Sequence, residues 1–394
     1  MGALRGMTRI IDFVKIALIA RILTQASFGL FAIVTTVVGT LEALTQTGVN
    51  FAVIHYKLPI AKIYKTLWII NAIRGILLMI IVFLSAALIA SFYRSDELYT
   101  LLIISSLVPL FKGLQNPATV VFYQKLDLRK EFVFKAVPSI IGAFISIYFA
   151  FVTKSALGLV YGLVATSMLE TLFSYIVTKN YFFESKFEIK YLKKILGYTK
   201  WLTFGSVFSF LINQVDNLFV GRFFNLATLG LYDLAFKLAS ITYTEITDII
   251  SRVLFPTLAK VKSDKKRMQS AYIKTTLFLF IPATIVTLLF LLFPAQILLL
   301  SFGDQWISAA PLLQILSIYG FIRTVNGPIG PLFLNLGKTK LLSLTDTLNF
   351  FLLIILLVPF STHWGINGVA WAIVVSYILV QPPQLFHLYK YLRS

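Results

Sequence analysis

Residues 67–92 read Leu67-Trp-Ile-Ile-Asn-Ala-Ile-Arg74-Gly-Ile-Leu-Leu-Met-Ile-Ile-Val-Phe-Leu-Ser-Ala-Ala-Leu-Ile-Ala-Ser-Phe92, an apolar run with a single charged side chain. It exceeds the roughly 20 residues that an α-helix needs to cross a bilayer, so it reads as a membrane span. Comparable runs recur along the chain. We assign twelve spans, near 8–24, 27–53, 67–92, 100–123, 136–153, 157–177, 201–221, 230–254, 275–300, 309–333, 341–360 and 366–386. The first is interrupted by Arg9, Asp12, Lys15 and Arg21, but it lacks the small-residue cleavage site of a signal peptide, and the second span follows at once.

The whole composition agrees. Of 394 residues 58% are hydrophobic and 13% charged, with mean hydropathy +0.86, against about 45–50% apolar and about 25% charged in an ordinary soluble domain. That excludes a soluble enzyme. With no cysteine there is no disulfide frame, thiolate metal site or cysteine nucleophile. His55, His363 and His387 are isolated and give no metal-ligand spacing. No cofactor is expected.

The formal net charge of +19 would suggest nucleic acid in a soluble protein. Here it follows the loops. Lys57, Lys62 and Lys65, then Lys125, Arg129, Lys130 and Lys135, and then the segments 178–200 and 257–274 are all basic and fall on one side of the membrane. The opposite loops carry only Arg94 and Lys154, plus Arg21 and Arg222 at span ends. By the positive-inside rule the basic side is cytoplasmic, and both termini lie there. Topology and anionic lipid account for the charge, and no nucleic-acid partner is expected.

The chain also repeats itself. Ala20-Arg21-Ile-Leu-Thr-Gln-Ala26-Ser-Phe-Gly29-Leu30-Phe31 aligns with Gly221-Arg222-Phe-Phe-Asn-Leu-Ala227-Thr-Leu-Gly230-Leu231-Tyr232. Phe111-Lys112-Gly-Leu-Gln115-Asn-Pro117 aligns with Ile322-Arg323-Thr-Val-Asn326-Gly-Pro328, and Gly158-Leu-Val-Tyr161 with Gly368-Val-Ala-Trp371. The matches are collinear. The expected fold is therefore all-α and polytopic, with about 12 transmembrane helices in two pseudo-symmetric six-helix lobes, residues 1–195 and 196–394. Because each half has an even number of spans, the lobes are expected to flank a cleft that opens alternately to the two sides.

Charges inside the membrane are costly, about 2.5–3.5 kcal/mol on insertion scales, and those retained usually face a cavity. Lys112 and Arg323 sit at matching repeat positions, each followed by an amide and a proline, and Arg74 lies about 12 Å inside its span. These cations, with Lys237, are candidates to bind an anion; pairing with a buried carboxylate is the other reading. Asp233, Lys237, Ser240, Thr244, Thr247, Asp248 and Ser251 form a polar stripe on the eighth span, flanked by Glu245 and Arg252. Asp216, Asp233, Glu245 and Asp248 are candidates to couple transport to H+ or Na+, although Asp233/Lys237 and Asp248/Arg252 also have the spacing of local ion pairs. Glu42, Glu170 and Asp346 read as side chains that reach the interface.

At Ala20–Phe31 the sequence resembles the polysaccharide transporter family, the O-antigen and exopolysaccharide flippases of the multidrug/oligosaccharidyl-lipid/polysaccharide exporter superfamily. Val215-Asp216-Asn-Leu-Phe-Val-Gly-Arg222, Gly230-Leu-Tyr-Asp-Leu-Ala235, Arg252-Val-Leu-Phe-Pro256 and Phe302-Gly-Asp-Gln-Trp306 with Ala309-Ala-Pro311 agree with it. The resemblance implies a non-enzymatic flippase in a prokaryotic cytoplasmic membrane. It would carry an oligosaccharide on undecaprenyl pyrophosphate from the inner to the outer leaflet, with cavity cations attracting the pyrophosphate and an ion gradient driving return. Family members often carry a longer N-terminal segment than the 19 residues before Ala20. A small-molecule exporter of the same superfamily would favour an acidic, aromatic pocket. A membrane glycosyltransferase or polymerase would need a large outer loop or a metal-binding carboxylate cluster, and the sequence offers neither.

Overall fold

The computed structural model describes residues 2–45, 60–125, 128–178, 185–191, 214–241, 243–244, 254, 258 and 264–393. Among them the chain is helical and forms no strand. Among the described residues seven stretches are long and apolar enough to cross a membrane. The chain divides into two compact units, residues 1–214 and 215–394. The expected division at 195/196 lies outside the described residues.

The first unit contains α1 (Gly2–Ala20), α2 (Gln25–Thr45), α3 (Ile60–Tyr93), α4 (Asp96–Ser105), α5 (Leu107–Gly113), α6 (Val120–Lys125), α7 (Leu128–Thr153) and α8 (Leu157–Val177). The long helix α3 shows how such a segment packs when lipid replaces water. Its buried face mixes the small Thr66, Ala72, Gly75, Ala86 and Ala90 with the larger Ile63, Tyr64, Leu67, Leu78, Val82 and Tyr93, while Leu77, Phe83, Leu84 and Leu88 point outward. Lipid tails are as apolar as leucine, so it is the small residues that let backbones approach. At Gly75 the approach is extreme: an added Cβ would lie 2.7 Å from the Pro109 carbonyl and 2.9 Å from the Gly113 Cα on α5.

The second unit contains α9 (Val215–Phe223), α10 (Leu226–Ile241), α11 (Lys265–Leu292), α12 (Pro294–Phe302), α13 (Ala310–Asn326), α14 (Ile329–Asn335), α15 (Thr339–Leu379) and α16 (Pro382–Arg393). Trp306, Phe302, Leu313, Leu316 and Phe333 are fully buried in it. Helix α15 is two spans joined at Gly365, whose φ of 59° and ψ of −139° are not helical.

The sequence repeats correspond to repeated local structure within each unit. Thr24 Oγ1 accepts the Ser27 amide at 3.3 Å where α2 begins, and Asn225 Oδ1 accepts the Thr228 amide at 2.7 Å where α10 begins. Each is a polar N-cap that restarts a helix after an arginine turn. Lys154, with φ of 49°, turns the chain from α7 to α8, as Gly365 turns it within α15. A Cβ on Gly158 would collide with Ala150, and one on Gly368 with Phe360, so both hairpins need a glycine where two helices touch.

The fourth span, placed near 100–123, is broken, and the tenth, placed near 309–333, is interrupted at Gly327 and Pro328, whose backbone angles stay helical. Pro117 has no N–H and forces its predecessor out of the helical region. Asn116 accordingly has φ −64° and ψ 115°, and its side chain caps the 3-10 turn Pro117–Thr119 by accepting the Ala118 amide at 2.9 Å. In the second unit α13 ends at Asn326 and α14 starts after Gly327-Pro328.

Candidate functional site

The break in the fourth span exposes main-chain groups that α8 satisfies. Thr171 Oγ1 donates to the Phe111 carbonyl at 2.7 Å, the Tyr175 hydroxyl to the Leu114 carbonyl at 2.9 Å, and the Asn116 amide to Ser174 Oγ at 2.9 Å. Residues 171, 174 and 175 share one helical face, so a single stripe clamps the whole break. Interrupted helices at membrane depth are tolerated when neighbouring hydroxyls replace the lost partners.

The clamped segment presents Lys112, in the last turn of α5. Its Nζ lies 2.8 Å from Glu42 Oε2 of α2, with the lysine side chain 40% exposed and the glutamate 21%. Arg74 Nη2 of α3 points at the Glu42 main-chain carbonyl, 3.5 Å away. Gln115 Nε2 donates to Glu170 Oε2 of α8 at 3.2 Å, and Lys135, Lys112 and Glu42 lie within electrostatic reach of Glu170. Two of the expected cations, Lys112 and Arg74, are therefore brought together around Glu42. Glu42 and Glu170, read from sequence as interface residues, belong to the same cluster.

In the second unit Arg323 occupies the last turn of α13, the position that Lys112 has in α5. A cation there opposes the partial negative charge of a helix C-terminus, which favours it in both units. Arg323 Nη1 donates to the Tyr319 hydroxyl at 2.6 Å. Its guanidinium carbon lies 4.3 Å from the ring centroid of Tyr243 and 5.6 Å from that of Tyr319. The Tyr377 ring meets Tyr319 edge-on at 5.3 Å, and Asp346 lies within electrostatic reach of the guanidinium. These three tyrosines carry no charge and no motif. The only local hint was the one-turn spacing of Tyr319 and Arg323.

The carboxylates separate. Asp216 is buried on α9, accepting the Tyr232 hydroxyl at Oδ2 (2.7 Å) and the Asn217 amide at Oδ1 (2.9 Å). Asp233 is buried and takes Lys237 Nζ at 2.6 Å within α10, so both members of that expected pair face each other. Glu245 and Asp248, with Arg252, lie outside the described residues. Among the described residues no three histidine, aspartate or glutamate side chains gather as a metal site.

Compared with solved structures, the chain shares its fold with a lipid II flippase and with a multidrug resistance MATE family transporter. It superimposes on the lipid II flippase MurJ in its inward closed conformation with a TM-score of 0.74 at 18% identity, covering 98% of this chain and 87% of that one. The chain belongs to the polysaccharide biosynthesis protein family, whose model matches residues 18–311. It is 27% identical over 380 residues to an uncharacterised membrane protein in the cps region of Klebsiella pneumoniae, covering 94% of this chain and 77% of that protein. It is 24% identical over 375 residues to the lipopolysaccharide biosynthesis protein WzxC of Escherichia coli K12, covering 94% and 75%.

Proposed function

We propose that this protein is a flippase that carries an undecaprenyl-pyrophosphate-linked oligosaccharide across the prokaryotic cytoplasmic membrane during surface polysaccharide biosynthesis. It is a transporter rather than an enzyme. Family membership and the relation to WzxC support the substrate class, and the observation that carries the reading is the matched pair Lys112 and Arg323. Each ends a helix just before a break, in equivalent places of the two repeats. Charge-assisted hydrogen bonds to phosphate persist in a low-dielectric cavity, so such cations can hold a pyrophosphate while the sugar chain follows.

In this reading residues 1–195 and 196–394 are two lobes that open alternately, with both termini in the cytoplasm. Arg74 and Lys237 add to the field on the anion. Asp216, Asp233, Glu245 and Asp248 are the groups that link movement to H+ or Na+, since an intramembrane carboxylate can lose its charge or bind a cation as its exposure changes. Membrane lipid is the other partner.

The test is complementation of a strain lacking its own flippase. Lys112→Gln and Arg323→Gln should each lower surface polysaccharide about ten- to hundred-fold, the worth of one hydrogen bond to a charged group. The lipid-linked precursor should accumulate while the amount of protein in the membrane stays normal. Normal export by both variants would overturn the proposal.

A further inference from the structure

The cation expected to meet the substrate in the first unit already has an anion. Glu42 Oε2 sits 2.8 Å from Lys112 Nζ, and the pair is not sealed, since the lysine side chain is 40% exposed. Partly exposed ion pairs are weakly held, so a stronger anion can replace one partner. We propose that Glu42 is a resident counter-anion that the substrate's pyrophosphate displaces from Lys112, and that the released carboxylate takes up one proton, so that anion and proton are bound together. The inference rests on the reading of Lys112 as a substrate-binding cation.

The charges around Glu42 give the reason for the proton. Facing it from α5 is Lys112 and from α3 Arg74, whose guanidinium points at the Glu42 carbonyl and is within electrostatic reach of its carboxylate. From α8 comes Glu170, itself within reach of Lys135 on α7 and hydrogen-bonded to Gln115. Among these described groups three cations and two carboxylates leave one positive charge. A diphosphate diester, with one negative charge on each phosphate, would reverse that to one negative charge, which one proton cancels. Uncompensated charge is expensive away from water, so the neutral set is favoured. The proton comes from water and adds to a Glu42 carboxylate oxygen as its contact with Lys112 is lost. On release of the anion the reverse occurs.

The probe is dimethyl pyrophosphate, a diphosphate diester that keeps one negative charge on each phosphate, added to the full chain in lipid nanodiscs. Glu42→Gln should bind it about two- to five-fold more tightly, because the competing partner of a partly exposed pair is gone. Its affinity should also lack the component that weakens wild-type binding with rising pH, read as the difference between the two proteins so that titration of the probe cancels. For wild type alone, an infrared difference spectrum should show a protonated carboxyl band appearing with dimethyl pyrophosphate. That measurement needs no variant to fold. Undiminished binding by Lys112→Gln would overturn the role of Lys112 itself. If Lys112→Gln loses binding while Glu42→Gln binds no more tightly, or if no carboxyl band appears, displacement of Glu42 is wrong and the anion-binding role of Lys112 stands.

Discussion

Arg323 and Tyr319 lie one turn apart on α13, and the guanidinium donates to the phenol oxygen at 2.6 Å. The ring of Tyr243 covers the guanidinium carbon at 4.3 Å, so the cation is held by aromatic faces and a neutral hydroxyl. Such a setting orients the charge. At Lys112 the contact is instead the Glu42 carboxylate. The two repeat positions share a backbone context but differ in the side chains that meet the cation.

Tyr319→Phe therefore keeps the ring and removes an acceptor from a charged donor. The expected cost is about 1.5–3 kcal/mol, the range for hydrogen bonds to charged groups. It is read as a lowered melting temperature of the purified protein in detergent. A melting temperature equal to wild type would mean that the hydroxyl does not hold Arg323.

Asp216 and Tyr232 form a buried pair at 2.7 Å. Tyr232→Phe leaves a buried carboxylate oxygen without its donor and should lower stability by about 1–3 kcal/mol. Asp216→Asn keeps an oxygen that accepts from Tyr232, so it should fold better than Tyr232→Phe while altering the pH or Na+ dependence of export. Equal damage from both substitutions, with unchanged ion dependence in any folded remainder, would assign the pair to packing alone.

The glycines give a prediction independent of substrate. Gly158→Ala and Gly368→Ala each drive a methyl group into the facing helix, at Ala150 and Phe360 respectively, and should sharply reduce the folded protein recovered from membranes. Gly330→Ala meets nothing within 4 Å and should be recovered normally. Overpacking in a tight interface typically costs about 1–3 kcal/mol or more. Recovery of all three variants at the same level would contradict the helix contacts described above.

Topology follows from charge. Reporter fusions at residues 60, 130, 190 and 265 should report the cytoplasm, and those at 96, 154, 304 and 363 the outside, because the basic loops alternate. A cytoplasmic signal from any of the last four would break the span assignment.

The sequence alone determined the membrane class, the helical hairpins and the internal repeat, because each is a local property. A long apolar run needs no tertiary partner to prefer the bilayer. The caps at Thr24 and Asn225 and the tight glycines at 158 and 368 recur at matching repeat positions. The breaks beside Lys112 and Arg323 were visible only as Pro117 and Pro328; that proline would interrupt the helix was a local signal, whereas the clamp by Thr171, Ser174 and Tyr175 was not. Apart from the one-turn pair Asp233 and Lys237, tertiary structure alone decided which charges meet. Glu42 and Lys112 are separated by 70 residues in sequence, and nothing in either one's spacing marks the other. Tyr243 covers Arg323 and Tyr377 meets Tyr319 from distant points of the sequence, and in a membrane interior the alternative to such pairing is a charge or hydroxyl with no water to solvate it. Hydrophobic patterning therefore fixes which segments cross the membrane, while the partners of the few polar side chains within it are set when the helices pack.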